Sequence, residues 1–529
     1  MRKPTAALIW IARNPWCLAF AWLIVAALLP LVPIDETRYL TVAWEMRRSG
    51  DLVGLTLNGQ PYMDKSPLMF WLINASWWVF GVSDLAARLV DVLFAAGSVA
   101  LVVRVARRLG LAQPERAGWF LLPFVVFGAF AAVVMFDLAL CAFFLLALDA
   151  LLLWLHTRRW HGAALAWLAV AGGLLAKGPV FLVHLAAPLL LVRWWYGRPI
   201  ERPWRFACGW VAVILLGLLP LAWWAWSAAS RIPGVPPEQT LLHQAFGRVA
   251  GSFAHRRGPF WYLPLLPVLL LPWMLWLRWR MVPRAIRAAM ALPAARLGIA
   301  ASVPALVMFS AISGKQIHYL LPLLPGVSIG LAALFAVEPA LLSTARTRWV
   351  ALLLLVGWLW PLAHWMRGSW PFAAWQAVVL AFGLALGAAA WAAGTRTPRL
   401  ASPDGRLAGT ATASLCLAIS LVLLVTAPLK PHLDGRPIAR AVQDLLARGV
   451  PVGVLPDEPG MIGYLARLPR PLPVVRDPAD WARRHPNGFV LVHASHGRLP
   501  PQAQPAVDLI DGWEGLLPAA ALAAGSIDP

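Results

Sequence analysis

Long apolar runs separated by short polar loops are the main pattern of this 529-residue chain. Runs of about 18 or more apolar residues recur along most of its length, and a helix of that size crosses the hydrocarbon core of a bilayer. The pattern predicts an all-α polytopic membrane protein with thirteen transmembrane helices. The predicted spans are residues 15–33, 85–103, 117–136, 138–155, 162–176, 180–195, 206–229, 259–277, 295–312, 317–338, 349–366, 372–394 and 408–428.

Composition and charge agree with a membrane protein. Hydrophobic residues make up 60% of the chain, whereas soluble domains contain about 45–50% apolar residues. The net charge of +21 could indicate a nucleic-acid partner, but no basic tail or RNA-binding motif supports one. The four cysteines lie in apolar runs, which favours neither a disulfide framework nor a CxxC metal site.

Alternation of the spans gives a predicted topology. If the N-terminus is cytoplasmic, the loops assigned inside hold about half of the 45 Lys and Arg residues, as the positive-inside rule expects. The first span shows no convincing cleavage site, so we expect it to be retained. Thirteen spans then place the C-terminal segment outside, which in a bacterial-type envelope means the periplasm.

A change of composition near residue 430 predicts a domain boundary. Residues 437–449 have the pattern of a helix, and residues 450–456, 471–477 and 488–495 have the pattern of short strands. We predict a transmembrane domain over residues 1–430, with outer loops at 34–84 and 230–258. A small soluble α/β periplasmic domain is predicted over residues 431–529.

Residues 33–67 are dense in charge, although charged residues make up only 13% of the chain. Arg38, Thr41, Glu45 and Arg48 are spaced by three or four positions and form one stripe of a helix. The pattern predicts an amphipathic helix in the membrane interface, with Trp44 at the headgroup boundary. We expect this loop to hold the reaction centre of a membrane enzyme.

Further ionisable side chains map to the outer ends of spans or to outer loops. Such groups are costly at membrane depth and usually mark a functional cavity. Because these side chains all map to the outer side of the membrane, we predict that the active face is external. The residues are Asp35, Asp64, Lys65, Asp137, Lys177, His255, Lys315 and His318.

The carboxylates allow two interpretations. Asp35 and Glu36 could only begin a helix, where negative charge is favoured. Alternatively, Asp35 could orient an acceptor hydroxyl or take its proton. Asp137 could form a plain turn or be a second cavity carboxylate.

The cations are also open to two interpretations. Lone cations near span ends commonly extend to the interface. Lys177 and Lys315 fit this less well, because each stands beside a Gly between apolar runs. Together with Arg38 and Lys65 they would suit the phosphate of a lipid carrier.

Histidines leave metal binding open. His255 and His318 could be metal ligands, proton carriers or structural residues, and with Asp35 and Asp64 they could bind a divalent metal ion. No HExxH spacing supports a metal site, and no P-loop or GxGxxG motif supports a nucleotide.

Motifs at several positions resemble a known family. DETRY at 35–39, followed by YMDKSP at 62–67, resembles the first outer loop of bacterial aminoarabinose (lipid A) transferases. More broadly, it is similar to protein mannosyltransferase-like membrane glycosyltransferases of GT-C fold. Matching segments are FDLALCAFF (136–144), AKGP (176–179), GPFWYLP (258–264) and GKQIHYLLPLLP (314–325).

The resemblance implies a glycosyltransferase that moves a sugar from a polyprenyl-phosphate donor, such as an undecaprenyl phosphate sugar, to an envelope acceptor such as lipid A, with inversion. It implies that Asp35 is the catalytic carboxylate and that Asp137 lines the cavity, where we predict it to be a second catalytic residue. Metal contacts of Asp64 and His255 stay open. The implied substrate-binding residues are Glu36, Arg38, Tyr62, Asp64, Lys65, Lys177, His255, Lys315, His318 and Tyr319.

Two departures leave the sugar open. Asp64-Lys65-Ser66-Pro67 stands where the family has Glu-Lys-Pro, and GKQIHY replaces its GKLPTY pattern. A transporter or flippase, or a non-catalytic binder of lipid-linked sugars, remains the alternative function. A transporter should instead place charges near mid-span and show paired broken helices in two repeats.

Overall fold

The computed structural model describes residues 10–11, 13–157, 160–232, 236–238, 256–343, 346–366, 374–396, 402–426, 429–494, 499–509 and 512–523. The chain forms two compact units. The first comprises Met1–Leu28, Arg88–Ala225 and Leu241–Ala427, and the second comprises Leu29–Ala87, Trp226–Thr240 and Pro428–Pro529. The second unit thus groups the first charged loop with the C-terminal segment, whereas the boundary at residue 430 stays a prediction.

Apolar helices make up most of the first unit. Within the described residues, six helices are long and apolar enough to cross a membrane, so the chain is a multi-pass helical membrane protein. They are Asp84–Arg108, Asp137–Thr157, Pro203–Ala229, Pro293–Ala311, Ile317–Val337 and Pro403–Thr426.

Shorter helices, and two long ones near the C-terminal end of this unit, complete it. The α-helices are Trp22–Leu28, Glu115–Leu121, Val125–Ala131, Trp160–Lys177, Val180–Leu190, Val192–Tyr196, Leu266–Leu269, Trp273–Trp276, Val282–Ala289, Leu324–Val337, Thr347–Met366 and Ala374–Arg396. The 3-10 helices are Pro15–Ala21, Pro259–Leu265, Trp279–Met281, Ile317–Leu323 and Pro339–Leu341.

Proline breaks some of the predicted spans. The stretch predicted as 259–277 forms a 3-10 helix and two single-turn helices, with Pro264, Pro267 and Pro272 inside it. A proline removes a backbone donor and clashes with the preceding turn, which shortens helices. The count of thirteen spans therefore stays a prediction.

Ion pairs to a buried carboxylate join two helices of the first unit. Asp149 is fully buried, and its carboxylate lies 2.9 Å from an Nη atom of Arg104 and 2.5 Å from Nε of Arg108. Two guanidinium groups offset the cost of burying one carboxylate. The contact joins Asp84–Arg108 to Asp137–Thr157.

The second unit combines helices with two small sheets. Its helices are Asp35–Ser49, Leu68–Phe80, Arg436–Ala447, Ile462–Leu465, Pro478–Arg484 and Ala519–Ala523, with a 3-10 helix at Lys430–His432. Its strands are β1 (Thr56–Leu57), β2 (Gln60–Pro61), β3 (Val452–Val454), β4 (Phe489–Ala494), β5 (Ala506–Leu509) and β6 (Gly512–Pro518). β1 and β2 form an antiparallel hairpin. The larger sheet has the order β3-β4-β6-β5, in which only β3 and β4 are parallel.

Side chains of β4 alternate between two apolar clusters. Leu491 packs in the cluster that contains Ile438 and Val442 of the helix Arg436–Ala447. Val490 and Val492 pack on the other face of the sheet, as the period of two along a strand requires. The predicted strands at 450–456 and 488–495 are present as β3 and β4. The stretch 471–477 makes only an isolated bridge between Val474 and Val454, and the sequence reading missed β5 and β6.

The polar stripe of the helix Asp35–Ser49 packs against the C-terminal segment. Thr41 and Glu45 are buried, and the Tyr464 backbone N–H donates to Thr41 Oγ1 over 3.1 Å. The indole N–H of Trp44 donates to the Leu468 carbonyl over 2.8 Å. Polar groups are buried where such partners satisfy them. Thr41 and Glu45 are therefore covered by protein, whereas the position of Trp44, which is partly exposed, at a headgroup boundary stays a prediction.

Candidate functional site

Asp35 follows a strained turn in the second unit. Ile34 has φ 65 and ψ −69, and the Asp35 backbone N–H donates to the Pro33 carbonyl over 2.9 Å. A hydrogen bond between residues two positions apart, with positive φ at the residue between them, defines the rare and strained form of the γ-turn. A β-branched residue is an outlier at positive φ. Strain of this sort concentrates at functional sites, where surrounding contacts maintain it.

Asp35, Tyr39 and Lys65 form a polar group beside that turn. The Tyr39 hydroxyl donates to Asp35 Oδ1 over 3.2 Å. Lys65 Nζ lies 5.5 Å from the centre of the Tyr39 ring, within the range of a cation–π contact. One aromatic side chain thus contacts both the predicted catalytic carboxylate and a predicted phosphate-binding cation.

Other predicted residues of this unit take different positions. Glu36 is buried, and its Oε2 accepts from the Val32 backbone N–H over 2.9 Å, so it supports the chain that enters the helix. Arg38 is half-buried, and its Nε donates to the Pro459 carbonyl over 2.9 Å. Tyr62 is buried with its ring 6.5 Å from Phe70, and Asp64 is exposed.

Four predicted residues of the first unit lie together. The Asp137 carboxylate forms a buried ion pair with Lys177, and His318 Nε2 lies 4.0 Å from Asp137 Oδ2. Lys177 Nζ lies 5.0 Å from the centre of the Tyr319 ring, and the rings of His318 and Tyr319 meet edge to face. The structure therefore brings four of the predicted residues together, and their roles toward a substrate stay predictions.

Lys315 has a different environment from the one predicted. Its ammonium is buried and donates to the backbone carbonyls of Ile312 and, over 3.1 Å, of Arg257. Backbone carbonyls compensate a desolvated ammonium and pin the two chain segments together. The structure thus gives Lys315 a structural contact, and its role toward a substrate stays a prediction.

Metal binding has no support from side-chain clusters. Within the part of the chain that the structure describes, no group of three or more His, Cys, Asp or Glu side chains could hold a metal ion. His255, a predicted ligand and substrate contact, lies outside the described residues.

Sequence reasoning missed two buried polar residues. His184 is 1% exposed, and neither ring nitrogen has a hydrogen-bond partner within the described residues. Its position in an apolar stretch, where ionisable residues usually serve a function, was a usable signal. Glu458 is 4% exposed in the C-terminal segment, where no motif pointed to it.

Sequence comparison connects the chain to membrane glycosyltransferases. A family model described as dolichyl-phosphate-mannose-protein mannosyltransferase matches residues 64–224. An undecaprenyl phosphate-alpha-4-amino-4-deoxy-L-arabinose arabinosyl transferase of Sodalis glossinidius is 31% identical over 316 residues, which cover 56% of this chain and 54% of that protein. The Pseudomonas paraeruginosa enzyme of the same name is 31% identical, with 59% and 58% covered. The chain therefore spans about half the length of the curated relatives it matches.

Solved structures match over almost the whole chain. The crystal structure of ArnT from Cupriavidus metallidurans bound to undecaprenyl phosphate superposes with a TM-score of 0.71 at 19% identity, covering 98% of this chain and 99% of that one. The apo structure of the same protein gives a TM-score of 0.72, with 99% and 100% covered. The chain has the ArnT fold, and its resemblance to GT-C membrane glycosyltransferases of the aminoarabinose transferase type is confirmed.

Proposed function

We propose that this chain is a membrane glycosyltransferase that moves a sugar from a polyprenyl-phosphate donor to an envelope acceptor such as lipid A. The observation that carries the proposal is the position of Asp35. It stands in the DETRY motif, directly after a strained turn, and accepts the Tyr39 hydroxyl beside Lys65. A carboxylate held in this way has restricted freedom, as a reacting or orienting group requires.

The chemistry needs few protein groups. The bond between the sugar C1 and the donor phosphate oxygen breaks, a bond from the acceptor oxygen to C1 forms, and polyprenyl phosphate leaves. Asp35 takes the proton of a hydroxyl acceptor, or positions an acceptor that is already ionised. Cations stabilise the charge that develops on the leaving phosphate, and we assign this to Arg38 and Lys65, while Lys177 is assigned to the lining of the substrate cavity.

The remaining assignments follow the family resemblance. Asp137 is the second catalytic carboxylate in this proposal. The donor carrier is undecaprenyl phosphate, in line with the names of the relatives, and the sugar is left open. Substrate contacts are assigned to Glu36, Tyr62, Asp64, His255, Lys315, His318 and Tyr319.

The proposed organisation keeps the topology predicted from the sequence. Thirteen helices within residues 1–430 cross the bacterial inner membrane, the N-terminus is cytoplasmic, and residues 431–529 form a periplasmic α/β domain. A membrane-impermeant thiol reagent should label a cysteine introduced at the exposed Asp444 in intact spheroplasts. Labelling only after the membrane is broken would contradict this orientation.

The first experiment compares the purified wild type with Asp35→Asn in detergent. A panel of polyprenyl-phosphate sugars is supplied with an envelope lipid extract as acceptor, and both donor binding and release of polyprenyl phosphate are measured. We expect wild-type turnover, and loss of turnover with donor binding retained in Asp35→Asn. Asp51→Asn is the matched control, because Asp51 lies in the same loop and pairs with Arg231 at 3.1 Å.

Each other outcome has a defined meaning. Equal turnover by wild type and Asp35→Asn would remove Asp35 from the mechanism. Donor binding without turnover on any sugar of the panel would favour a flippase or a non-catalytic binder of lipid-linked sugars.

A further inference from the structure

A buried carboxylate holds a tight turn in the C-terminal segment. Glu458 Oε2 accepts from the Gly460 backbone N–H over 2.8 Å, and Oε1 accepts from the Met461 backbone N–H over 2.6 Å. The Asn58 side-chain amide donates to Oε2 over 2.5 Å. Three N–H donors to one buried carboxylate make strong, charge-assisted bonds that define its position.

That turn presents a carbonyl to Arg38. Pro459 lies between Glu458 and Gly460, and its carbonyl accepts from Arg38 Nε over 2.9 Å. A guanidinium carries five N–H donors in a fixed plane. The bond from Nε fixes one edge of the guanidinium and leaves the Nη groups as donors for a bidentate contact with phosphate.

The hairpin between β1 and β2 links this turn back to the helix that carries Arg38. Glu45, two helical turns after Arg38, accepts from Thr56 Oγ1 over 2.6 Å and from the Gly59 backbone N–H over 3.1 Å. Asn58, in the same hairpin, donates to both the carboxylate and the carbonyl of Glu458. Hydrogen bonds thus connect the helix Asp35–Ser49, the β1–β2 hairpin and the turn 458–461 to one another.

We propose that Glu458 is a positioning residue for phosphate binding. Its carboxylate fixes the turn 458–461, so that the Pro459 carbonyl orients the Arg38 guanidinium toward the phosphate of the polyprenyl carrier. The proposal rests on the proposed function, which assigns Arg38 to that phosphate. It gives the C-terminal segment a part in substrate binding.

The test is a double-mutant cycle on carrier binding. The affinity for short-chain polyprenyl phosphate is measured for wild type, Glu458→Gln, Arg38→Ala and the double variant. Glutamine keeps the shape but places an NH₂ group against backbone donors, which loosens the turn. We expect Glu458→Gln to weaken binding about tenfold, and to cause no further loss beyond about twofold in the Arg38→Ala background.

Matched variants separate positioning from general stability. Asp149→Asn also replaces a buried carboxylate by an amide, but in the first unit, where Arg104 and Arg108 hold it, and it should leave carrier affinity unchanged within about twofold. If Glu458→Gln does not fold, Asn58→Gly removes one donor to Glu458. Its glycine tolerates the positive φ of 52 at that position, and we expect a smaller loss of affinity that is also absent in the Arg38→Ala background.

The outcomes distinguish this proposal from the function on which it rests. If Arg38→Ala binds the carrier like wild type, Arg38 does not bind the carrier phosphate. The positioning role of Glu458 is then wrong as well. If Arg38→Ala weakens binding but Glu458→Gln and Asn58→Gly do not, only the positioning role is wrong. Equal losses from Glu458→Gln with and without Arg38 would likewise overturn it.

Discussion

The carboxylate of Asp137 and the ammonium of Lys177 form a buried ion pair in the first unit. Asp137 begins the helix Asp137–Thr157 and Lys177 ends the helix Trp160–Lys177, so the pair closes one end of a helical hairpin. Each charge also stands at the helix end where the macrodipole favours it. His318 and Tyr319, from a distant segment, complete the group.

Removing one partner of this pair should destabilise the protein strongly. Asp137→Asn or Lys177→Met leaves a buried charge without its main counter-charge, and we expect a loss of about 3–5 kcal/mol in the free energy of unfolding. The double variant removes both charges and should lose less than the sum of the single losses. Equilibrium unfolding in detergent measures the cycle. Additive losses would show that the two charges do not stabilise each other.

Tyr39→Phe should reduce turnover while the protein remains folded. The substitution removes the hydroxyl that donates to Asp35 but keeps the ring beside Lys65 and Phe70. We expect kcat to fall about tenfold, which corresponds to about 1.4 kcal/mol for a hydrogen bond to a charged group. Steady-state kinetics with the donor identified for wild type measures the effect, and Tyr196→Phe in the first unit is the control. An unchanged kcat would mean that the hydroxyl does not assist Asp35.

Two glycines should respond in opposite directions to the same substitution. A Cβ at Gly128 would overlap the indole of Trp22, which is 1% exposed, so we expect Gly128→Ala to cost about 1–3 kcal/mol through overpacking. A Cβ at Gly97, inside the helix Asp84–Arg108, meets no atom within 4 Å. There, alanine should stabilise the helix by about 0.5–1 kcal/mol. Thermal unfolding midpoints of both variants test the packing, and a shift in the same direction would contradict it.

Glu514→Gln should change how stability depends on pH. Burial raises the pKa of Glu514 well above its ordinary value. The folded state therefore binds its proton more tightly than the unfolded state. The stability from this group is fully present below the unfolded pKa of about 4.3, and is lost as pH rises through the folded pKa.

Glu514→Gln should lose the part of the pH dependence of stability that comes from this carboxyl group. One such group contributes at most about 1.4 kcal/mol per pH unit, so the free energy of unfolding of Glu514→Gln should fall less steeply with rising pH than that of wild type. Burial also raises the pKa of Glu45 and Glu458, so wild type and variant keep a slope in common. Unfolding measured at several pH values gives the difference, with the exposed Asp444→Asn as control. Parallel curves for wild type and Glu514→Gln would refute the prediction.

Local signals in the sequence were sufficient for the membrane class, several of the long helices and the motif positions. Apolar run length predicted the long helices, such as Asp137–Thr157, because burying a whole helix in lipid requires a continuous apolar stretch. The DETRY motif pointed to the helix that begins at Asp35. These properties depend on residues that are close to one another along the chain, so they can be predicted from the sequence alone.

Only the tertiary structure decided which partner each polar side chain contacts. The stripe of Thr41 and Glu45 belongs to a helix predicted to lie in the membrane interface. Yet both residues are buried: Thr41 bonds Tyr464 of the C-terminal segment, and Glu45 bonds the β1–β2 hairpin. Arg38 meets Pro459 across 421 positions, and Lys315 is held by backbone carbonyls. A buried polar group must find a hydrogen-bond partner, but periodicity does not say whether that partner is water, lipid or a distant carbonyl. For this reason the sequence by itself determined the membrane class and the candidate residues, whereas long-range packing determined which of these residues meet.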